Sequence, residues 1–270
     1  MSQSPIHKAL SILRKHRVRA LLIGGQACIL CGAAEFSRDI DLAVLADERN
    51  LSRLQAALSE LNAAPVFDPP LSTNVLLRGH ACHFRCKAAE VEGLRIDVMS
   101  VLHGCQSFEE LWSRRRTLSL PGVGRVYVLA LKDLVQAKKT QRDKDWPMLR
   151  RLVEADYYRR PSRPTREQIV FWLHEVRTSE ILVALCRRYA ATARRLGAER
   201  PVLRPALRGD RKGVEAALQA EQERARGSDR QYRAPLRAEL ARWRRDLKLE
   251  VKRQKAKGQN VAGFVRTSSF

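Results

Sequence analysis

The fold of this protein is decided by residues 21–45, LLIGGQACILCGAAEFSRDIDLAVL. The stretch begins with an apolar run that ends in Gly24-Gly25, a pattern that is typical of a buried strand followed by a tight turn. It ends with two acids, Asp39 and Asp41, followed by a second apolar run, which predicts another strand. The small residues between the two runs predict a helix that packs closely on a sheet.

The two acids of this stretch are expected to form one site with a third acid. Asp39 and Asp41 project from the same face of their strand because side chains at positions i and i+2 lie on one side. Neighbouring carboxylates repel each other, and a divalent cation is the usual reason for such a pair. Asp97, in LRIDVMS (residues 94–100), lies in another predicted strand. If the strands pair, three convergent carboxylates can hold two Mg²⁺ (or Mn²⁺) ions about 3.5–4 Å apart.

Outside this region the pattern predicts strands and helices that alternate up to about residue 130, and helices alone afterwards. This order predicts an α/β fold, with a mixed sheet and flanking helices, followed by an Arg-rich all-helical C-terminal region. Further strands are predicted at 80–88, 94–101 and 126–129, and a loop or an edge at 65–72. Helices are predicted at 6–15, 26–34, 51–61, 108–116, 131–139, 144–155, 165–189, 213–226 and 234–257. The expected domains are 1–128 (α/β domain), 129–160 (helices that complete it), 161–257 (basic helical domain) and 258–270 (loose tail).

The net charge of +22 is concentrated in the C-terminal region. Residues 161–270 carry 26 Lys and Arg against 12 Asp and Glu. This excess predicts a partner that is rich in phosphate groups, although an Arg-rich helical face in contact with solvent has the same composition. The best candidates for contact with RNA are Arg242, Arg244, Arg245, Lys248, Lys252 and Arg253.

Three aromatic residues, Trp172, Tyr232 and Trp243, lie among the arginines of this region. Aromatic rings between arginines can stack on unpaired bases of a nucleic acid. They can equally anchor a helix to the hydrophobic core. The sequence leaves both interpretations open.

The six cysteines are few for this length and irregularly spaced, which predicts free thiols in a cytoplasmic protein. No apolar run approaches the roughly 20 residues of a membrane span, and the N-terminus lacks the pattern of a secretory signal. A group of cysteines and histidines has two interpretations. It can supply the ligands of a Cys₂His₂ zinc site, or its cysteines can be small apolar side chains of the core. The group consists of Cys28, Cys31, His80, Cys82, His83 and Cys86.

The order of the Gly-Gly turn, the helix, the Asp-Ile-Asp strand and Asp97 resembles the DNA-polymerase-β-type nucleotidyltransferase superfamily. Within it, the sequence is most similar to the bacterial AbiEii-like and minimal nucleotidyltransferases of toxin–antitoxin and phage-defence systems. The stretch LALKDLVQAKKTQRDKDWPML (residues 129–149) resembles the helix pair that follows the catalytic sheet in these proteins. The resemblance covers about residues 18–155. The recurring Lys, Arg and Lys-Asp positions of that helix pair are Lys138, Arg142, Lys144 and Asp145.

The resemblance implies transfer of a nucleoside monophosphate from an NTP to a hydroxyl group, with release of pyrophosphate. It implies that Asp39, Asp41 and Asp97 bind the metal ions and that Asp97 also helps to deprotonate the acceptor. Lys138 would offset phosphate charge, or it is a lysine on the polar side of an amphipathic helix. Asp145 either acts in catalysis or forms a structural ion pair. The residues implied in nucleotide binding are Gly24, Gly25, Ser37, Arg38, Lys138 and Arg142.

The sequence departs from the family pattern at two positions. Gly25 stands where many members of the superfamily have a serine. Glu35 stands where the toxin-like groups often have an arginine, four residues before the first metal-binding aspartate. Ser37 matches the family pattern, and Arg38 is the candidate to replace the missing positive charge.

Three hypotheses for the function stay open. In the first, the acceptor of the nucleotidyl group is RNA, with the end of a tRNA among the candidates. In the second, the acceptor is a hydroxyl group of a partner protein, for instance a tyrosine of a partner toxin. In the third, the fold is a catalytically inactive scaffold, and the basic helices bind nucleic acid or an acidic partner.

Overall fold

The computed structural model describes residues 4–34, 36–66, 69–159 and 163–256. These residues form two compact units. The first consists of the described residues within Met1–Ala27, Phe36–Ala130 and Tyr232–Phe270, and the second of those within Cys28–Glu35 and Leu131–Gln231. These units are not the domains expected from the sequence, because the first unit includes residues from Tyr232 onward and the second includes residues within Cys28–Glu35. The domain limits expected at residues 128 and 160 stay a prediction.

A mixed sheet forms the centre of the first unit, and the described residues contribute seven strands to it. The strands are β1 (Ala20–Ile23), β2 (Asp39–Val44), β3 (Ala63–Pro65), β4 (Cys82–Cys86), β5 (Arg95–Met99), β6 (Arg116–Leu120) and β7 (Gly124–Val128). Their order across the sheet is β3-β4-β5-β2-β1-β7-β6. β2 is parallel to β5 and β1 is parallel to β7, whereas the other neighbours are antiparallel. The mixed sheet that the sequence predicted is confirmed.

Helices flank this sheet and make up most of the second unit. They are α1 (Pro5–Lys15), α2 (Gly24–Leu30), α3 (Glu48–Glu60), α4 (Thr73–Leu77), α5 (Phe108–Ser113), α6 (Leu131–Ala137), α7 (Asp145–Arg159), α8 (Arg166–Glu175), α9 (Ser179–Arg188), α10 (Ala190–Leu196), α11 (Leu203–Leu207) and α12 (Arg211–Ala256), with a 3₁₀ turn at Ala89–Val91. α2 begins in the first unit, and α12 ends in it. The helical C-terminal region predicted from the sequence is confirmed. Among the described helices, none is long and apolar enough to cross a membrane.

A buried asparagine joins the ends of the two central strands. Asn50, on α3, is 2% exposed. Its Oδ1 accepts a hydrogen bond from the backbone N–H of Arg19 (2.7 Å), and its Nδ2 donates to the carbonyl oxygens of Arg19 (3.0 Å) and Leu45 (2.8 Å). These backbone groups flank β1 and β2. The carbonyl oxygen of Arg19 also accepts from the N–H of Leu45 (3.2 Å), so the side chain adds to that pairing and supplies partners to the Arg19 N–H and the Leu45 carbonyl oxygen.

The helix predicted over 165–189 is divided into α8 and α9. α8 ends at Glu175, and Val176 after it is extended, with φ −61° and ψ 135°. The buried guanidinium group of Arg200 donates hydrogen bonds to the carbonyl oxygens of Leu173 (2.7 Å) and Val176 (2.9 Å). Because a distant side chain satisfies the carbonyl groups at this helix end, the chain can leave the helix there. Local sequence does not show such a partner.

The helices predicted at 213–226 and 234–257 form the single helix α12, which continues through Pro235. A proline inside a helix removes one backbone hydrogen bond and usually ends or kinks the helix. Beyond this proline the helix is fixed by tertiary contacts, since Oε2 of Glu239 lies 2.9 Å from Nε2 of the buried His80. The proline was therefore a misleading boundary signal.

Other differences from the sequence prediction concern short elements. β3, β6, α4, α10 and α11 were not predicted, and Arg116, expected to end a helix, begins β6. β6 lies at the edge of the sheet and most of its side chains are exposed, so its sequence lacks the alternation of a half-buried strand. Pro65, in the segment expected to be a loop or an edge, ends β3, which lies at the edge of the sheet. The expected tail at 258–270 lies outside the described residues.

Replacement of Asn50 by alanine should lower the free energy of unfolding by about 2–3 kcal/mol, because the Arg19 N–H and the Leu45 carbonyl oxygen lose their side-chain partner in a half-buried position. The measurement is urea unfolding of the Asn50→Ala variant. The control is Asn74→Ala, because Asn74 is exposed on α4 and its removal should cost less than about 0.5 kcal/mol. Equal losses in the two variants would contradict the assigned role of Asn50.

Candidate active site

Strands β2 and β5 run in a register that places Asp39 beside Arg95 and Asp41 beside Asp97. Register partners face the same side of a sheet, so the three predicted acids lie on one face. β4 is antiparallel to β5 and places His83 beside Asp97 on the same face. The structure therefore brings the three acids to one surface, and it adds a guanidinium group and an imidazole that the sequence analysis did not include in the site.

The carboxylate of Asp97 is held by these two neighbours. Its Oδ1 atom lies 2.7 Å from Nε of Arg95 and 2.8 Å from Nδ1 of His83. Burial alone would raise the pKa of Asp97, but the hydrogen bonds from His83 and Arg95 and their nearby charges hold this pKa below its ordinary value. The hydrogen bond to Asp97, together with the charges of Asp39 and Asp41, raises the pKa of Arg95 against the effect of its burial. Arg95 is thus a permanent cation beside the acids.

Asp41 and Asp39 have different surroundings. Oδ2 of Asp41 accepts a weak hydrogen bond from the backbone N–H of Gly25 at 3.4 Å. The carboxylate of Asp39, as far as the structure describes the chain, accepts no hydrogen bond and forms no ion pair. Both side chains are half-buried. Asp39 is therefore the acid of this face whose oxygen atoms have the fewest competitors for an added cation.

The two glycines of the turn allow close contact with the acidic strand. Gly24 has φ +63°, and a Cβ atom at this position would lie 1.9 Å from Oδ2 of Asp41. A Cβ atom at Gly25 would lie 2.4 Å from Oγ of Ser37. A serine at position 25, which many superfamily members have, would collide with Ser37, so this departure from the family pattern follows from packing. The N–H of Gly25 is directed at Asp41, and phosphate binding by the turn stays a prediction.

In the segment before β2, hydrogen bonds hold Ser37 in place, whereas the next residue, Arg38, is exposed to solvent. Nε2 of Gln26 donates a hydrogen bond to the carbonyl oxygen of Ser37 (2.9 Å), whose hydroxyl donates to the carbonyl oxygen of Asp39 (3.3 Å). Arg38 is exposed, and its guanidinium carbon lies 5.5 Å from the ring centroid of Phe36. The role proposed for Arg38 in nucleotide binding is compatible with its exposure and stays untested. Glu35 lies outside the described residues.

In the second unit, Asp145 is the centre of a buried polar cluster. Its Oδ1 lies 3.1 Å from Nζ of Lys138, and its Oδ2 accepts from Oγ1 of Thr140 (2.6 Å) and from Nε of Arg142 (2.9 Å). Burial would raise the pKa of Asp145, but the charge of Lys138, the Thr140 hydroxyl and Arg142 hold this pKa below its ordinary value. The contacts support the structural ion pair, one of the two interpretations that the sequence left open for Asp145.

Metal binding by the cysteines and histidines finds no support. Within the described ranges, no group of three or more His, Cys, Asp or Glu side chains is arranged to hold a metal ion. Burial raises the pKa of the Cys82 thiol to about 12 and that of the Cys86 thiol to about 11. None of the six cysteines, all of which lie in the described ranges, is joined in a disulfide, in agreement with the reduced thiols that the sequence predicted.

The aromatic residues of the helical region act as anchors. The Trp243 ring lies 4.9 Å from the ring of His80, and the Tyr232 ring stacks at 4.4 Å on that of His103. The indole N–H of the buried Trp172 donates to Oδ2 of an aspartate on α7 at 3.0 Å. These contacts confirm the interpretation that the rings hold helices in place. The basic residues next to Trp243 and after it are exposed, and they are Arg242, Arg244, Arg245, Lys248, Lys252 and Arg253.

Comparisons with known proteins add little to this picture. No protein-family model matches the sequence, and no curated protein matches it. Among solved structures, the chain is similar to JHP933 from Helicobacter pylori, with 11% identity, a TM-score of 0.32, and coverage of 82% of this chain and 90% of that one. It is also similar to a candidate nucleotidyltransferase from H. pylori, with 12% identity, a TM-score of 0.33, and coverage of 83% and 97%. At these scores, neither neighbour supports a conclusion about this chain.

Replacement of Gly24 by alanine should displace Asp41, because the new methyl group and the carboxylate would occupy the same space. The control is Gly93→Ala, since Gly93 also has a positive φ (+75°) but has open space around the position of a Cβ atom. Gly93→Ala should cost about 1 kcal/mol of unfolding free energy for backbone strain. Gly24→Ala should cost about 1–3 kcal/mol more for overpacking. Equal costs in denaturant unfolding would show that the contact with Asp41 is absent.

Replacement of Asp145 by asparagine should lower the free energy of unfolding by about 2–3 kcal/mol at neutral pH, because Lys138 and Arg142 lose their buried partner. The folded-state pKa lies below the unfolded value, so the stabilisation is complete above the unfolded pKa and disappears as pH falls through the folded pKa. The difference between wild type and variant should therefore shrink below about pH 4.

The control for this measurement is Asp143→Asn. The Asp143 side chain is 91% exposed and lies 2.7 Å from Nη2 of Arg226. An exposed ion pair is worth about 1 kcal/mol or less, so this variant should remain close to wild type at each pH. A loss in Asp145→Asn that is unchanged down to pH 2 would contradict the assigned ion pair.

Proposed function

We propose that this protein is a metal-dependent nucleotidyltransferase, which moves a nucleoside monophosphate from an NTP to a hydroxyl group and releases pyrophosphate. The observation that carries the proposal is the placement of Asp39, Asp41 and Asp97 on one face of two adjacent parallel strands. The Gly24 turn lies directly against Asp41 on this face. The sequence resemblance to polymerase-β-type nucleotidyltransferases gives the arrangement its chemical interpretation.

The fit of a divalent cation is best at Asp39 and Asp41. Carboxylate oxygens are the hard donors that Mg²⁺ and Mn²⁺ prefer, and these two side chains face the same way from one strand. Asp97 is the proposed third ligand, but its Oδ1 is already shared by Arg95 and His83. A cation can bind at that oxygen only if it replaces the hydrogen bonds from Arg95 and His83. When bound, the cation would offset phosphate charge and polarise the acceptor hydroxyl.

The chain's own residues would position the substrate by charge. Arg95 is the positive group next to the acids, and it balances part of the negative charge that would otherwise repel a triphosphate. A pKa below the ordinary value keeps Asp97 ionised at neutral pH and makes it a weak proton acceptor. These properties suit Asp97 better as a permanently charged ligand than as a general base. Lys138 donates a hydrogen bond to Asp145. Its role in offsetting phosphate charge is part of the proposal.

RNA is the proposed acceptor, with tRNA among the candidates. In support, residues 242–253 of α12 carry six exposed Lys and Arg side chains, and the C-terminal region has a large positive excess. Trp243 fixes this part of the helix in the first unit through His80. A role in a toxin–antitoxin or phage-defence system, in the cytoplasm, is an extension of the proposal that depends on the sequence resemblance alone.

A second candidate function is a catalytically inactive module that binds nucleic acid or an acidic partner. It is favoured by the hydrogen bonds of Asp97, because Arg95 and His83 already bind the carboxylate oxygen that a metal ion would bind, and Arg95 brings a positive charge to it. The finding that the described side chains form no ready metal site favours it as well. The two candidates predict opposite results for the same assay.

Incubation of the protein with Mg²⁺, total RNA and α-³²P-labelled NTPs should transfer label to RNA. Asp41→Asn should lower the rate of transfer by about a thousandfold, because it removes charge and a ligand from the proposed metal site. The control is Glu92→Gln, since Glu92 is exposed after the 3₁₀ turn, and this variant should keep the wild-type rate.

The products of this assay separate the hypotheses. Label that is removed by ribonuclease indicates an RNA acceptor, and label that is removed by protease indicates a protein hydroxyl. If no NTP labels any acceptor, and salt-sensitive RNA binding is unchanged in Asp41→Asn, the enzyme proposal is wrong and the inactive module is supported.

A further inference from the structure

A cavity of about 290 Å³ is lined by residues of α1, β1, β2, α5 and β7. Leu22 and Leu42, which are register partners in β1 and β2, contribute to its floor. Leu42 directly follows Asp41, and successive residues of a strand face opposite sides of a sheet, so this floor faces away from the acids. Tyr127 precedes Val128, the register partner of Leu22, and therefore starts from the other face. None of the three acids lines the cavity. All of its lining residues belong to the first unit.

The rim of this cavity is strongly basic. Four arginines line it, namely Arg14, Arg17, Arg19 and Arg125. Arg19 forms an ion pair with Glu109 at 2.8 Å. The other three, within the part of the chain that the structure describes, form no side-chain hydrogen bond or ion pair. Three uncompensated guanidinium groups around one concave surface concentrate positive potential there, which favours binding of an anion.

The walls of the cavity contain two aromatic rings that are held firmly. The rings of Trp112 and Tyr127 lie 4.8 Å apart, edge to face. The guanidinium group of Arg115 packs 4.2 Å from the first ring and 4.8 Å from the second. Arg19 lies 5.0 Å from the Trp112 ring. Rings and guanidinium planes fixed in this way offer flat surfaces on which a nucleobase can stack.

Backbone conformation fixes the position of two of the arginines. Arg17 follows α1 with φ +55°, in the left-handed region where glycine is favoured, and the N–H of Val18 donates to the carbonyl oxygen of Leu13 (3.1 Å). This is the arrangement of a helix C-cap, and it determines where Arg17 leaves α1. Arg14 lies over the backbone of Gly124, where an added Cβ atom would be 3.2 Å from its guanidinium carbon. Both arginines are thus placed at the cavity by the local backbone.

We propose that this cavity binds a nucleoside 5′-phosphate, either as a free nucleotide or as the 5′-terminal nucleotide of an RNA. The base would contact the aliphatic floor and the flat groups at Trp112, and the phosphate would bind Arg14, Arg17 and Arg125. The volume suits one nucleotide unit, since cavities for small ligands begin at about 300 Å³. This site does not depend on the proposed nucleotidyl transfer, because none of the three acids lines the cavity.

The test is calorimetric titration of the full-length protein with AMP, GMP, CMP and UMP in EDTA, so that no divalent cation occupies the acidic face. Binding is expected in wild type and is expected to be unchanged in Asp41→Asn. Arg17→Gly should raise the Kd about tenfold while the fold is kept, because glycine suits the positive φ. Arg125→Gln should have a similar effect on the Kd.

Two variants serve as matched controls. Asn62→Gly places glycine at the other described non-glycine position with positive φ (+46°), and Arg49→Gln removes one exposed positive charge on α3. Both should bind like wild type. Thermal unfolding of each variant establishes that the fold is present.

Further titrations identify the source of the ligand. A 5′-phosphorylated trinucleotide that binds more tightly than the mononucleotides supports an RNA end, and equal affinities support a free nucleotide. The proposal is overturned if no mononucleotide binds, if inorganic phosphate binds as tightly as the nucleotides, or if Arg17→Gly and Asn62→Gly have the same Kd. Loss of binding in Asp41→Asn would assign the binding to the acidic face and would overturn it as well.

Discussion

The parallel pairing of β2 with β5 is the constraint on which the candidate site depends. Its register places Ile40 beside Ile96, both fully buried, and Asp41 beside Asp97 on the opposite face. A shift of one residue along a single strand would turn that strand's acids into the core and its isoleucine to the surface, at a high cost in free energy. The hydrophobic residues therefore determine the position of the acids, although they take no part in the site's chemistry.

Charge compensation decides what this face can do. Three half-buried carboxylates on neighbouring strands need positive charge. Arg95 supplies part of it, and His83 contributes a hydrogen bond to Asp97. The same contacts permit two functions, since an arginine beside the acids can assist a bound triphosphate or take the place of a metal ion. The cavity near α1 has the reverse composition, with arginines around an aliphatic floor.

Much of the fold could be predicted from the sequence because the central strands and long helices carry strong periodic patterns. The strands around Leu22, Ile40 and Ile96, and the acids next to them, were predicted correctly, because alternation and glycine turns are local signals. Short edge elements such as β6 were missed, since exposed strands do not alternate. Pro235 was misleading, because the packing of Glu239 on His80 fixes the helix beyond it.

The sequence by itself determined that Asp39 and Asp41 share a face, because the two-residue repeat of a strand is fixed by its backbone. It also determined that Gly24 can adopt a positive φ beside them. Only the tertiary structure decided that Asp97 is bound by Arg95 and His83, and that Arg14, Arg17 and Arg125 meet at one cavity. These arrangements join residues on different elements, and their distances depend on strand register and on the packing of α1. A single sequence, read locally, contains no information on such distances.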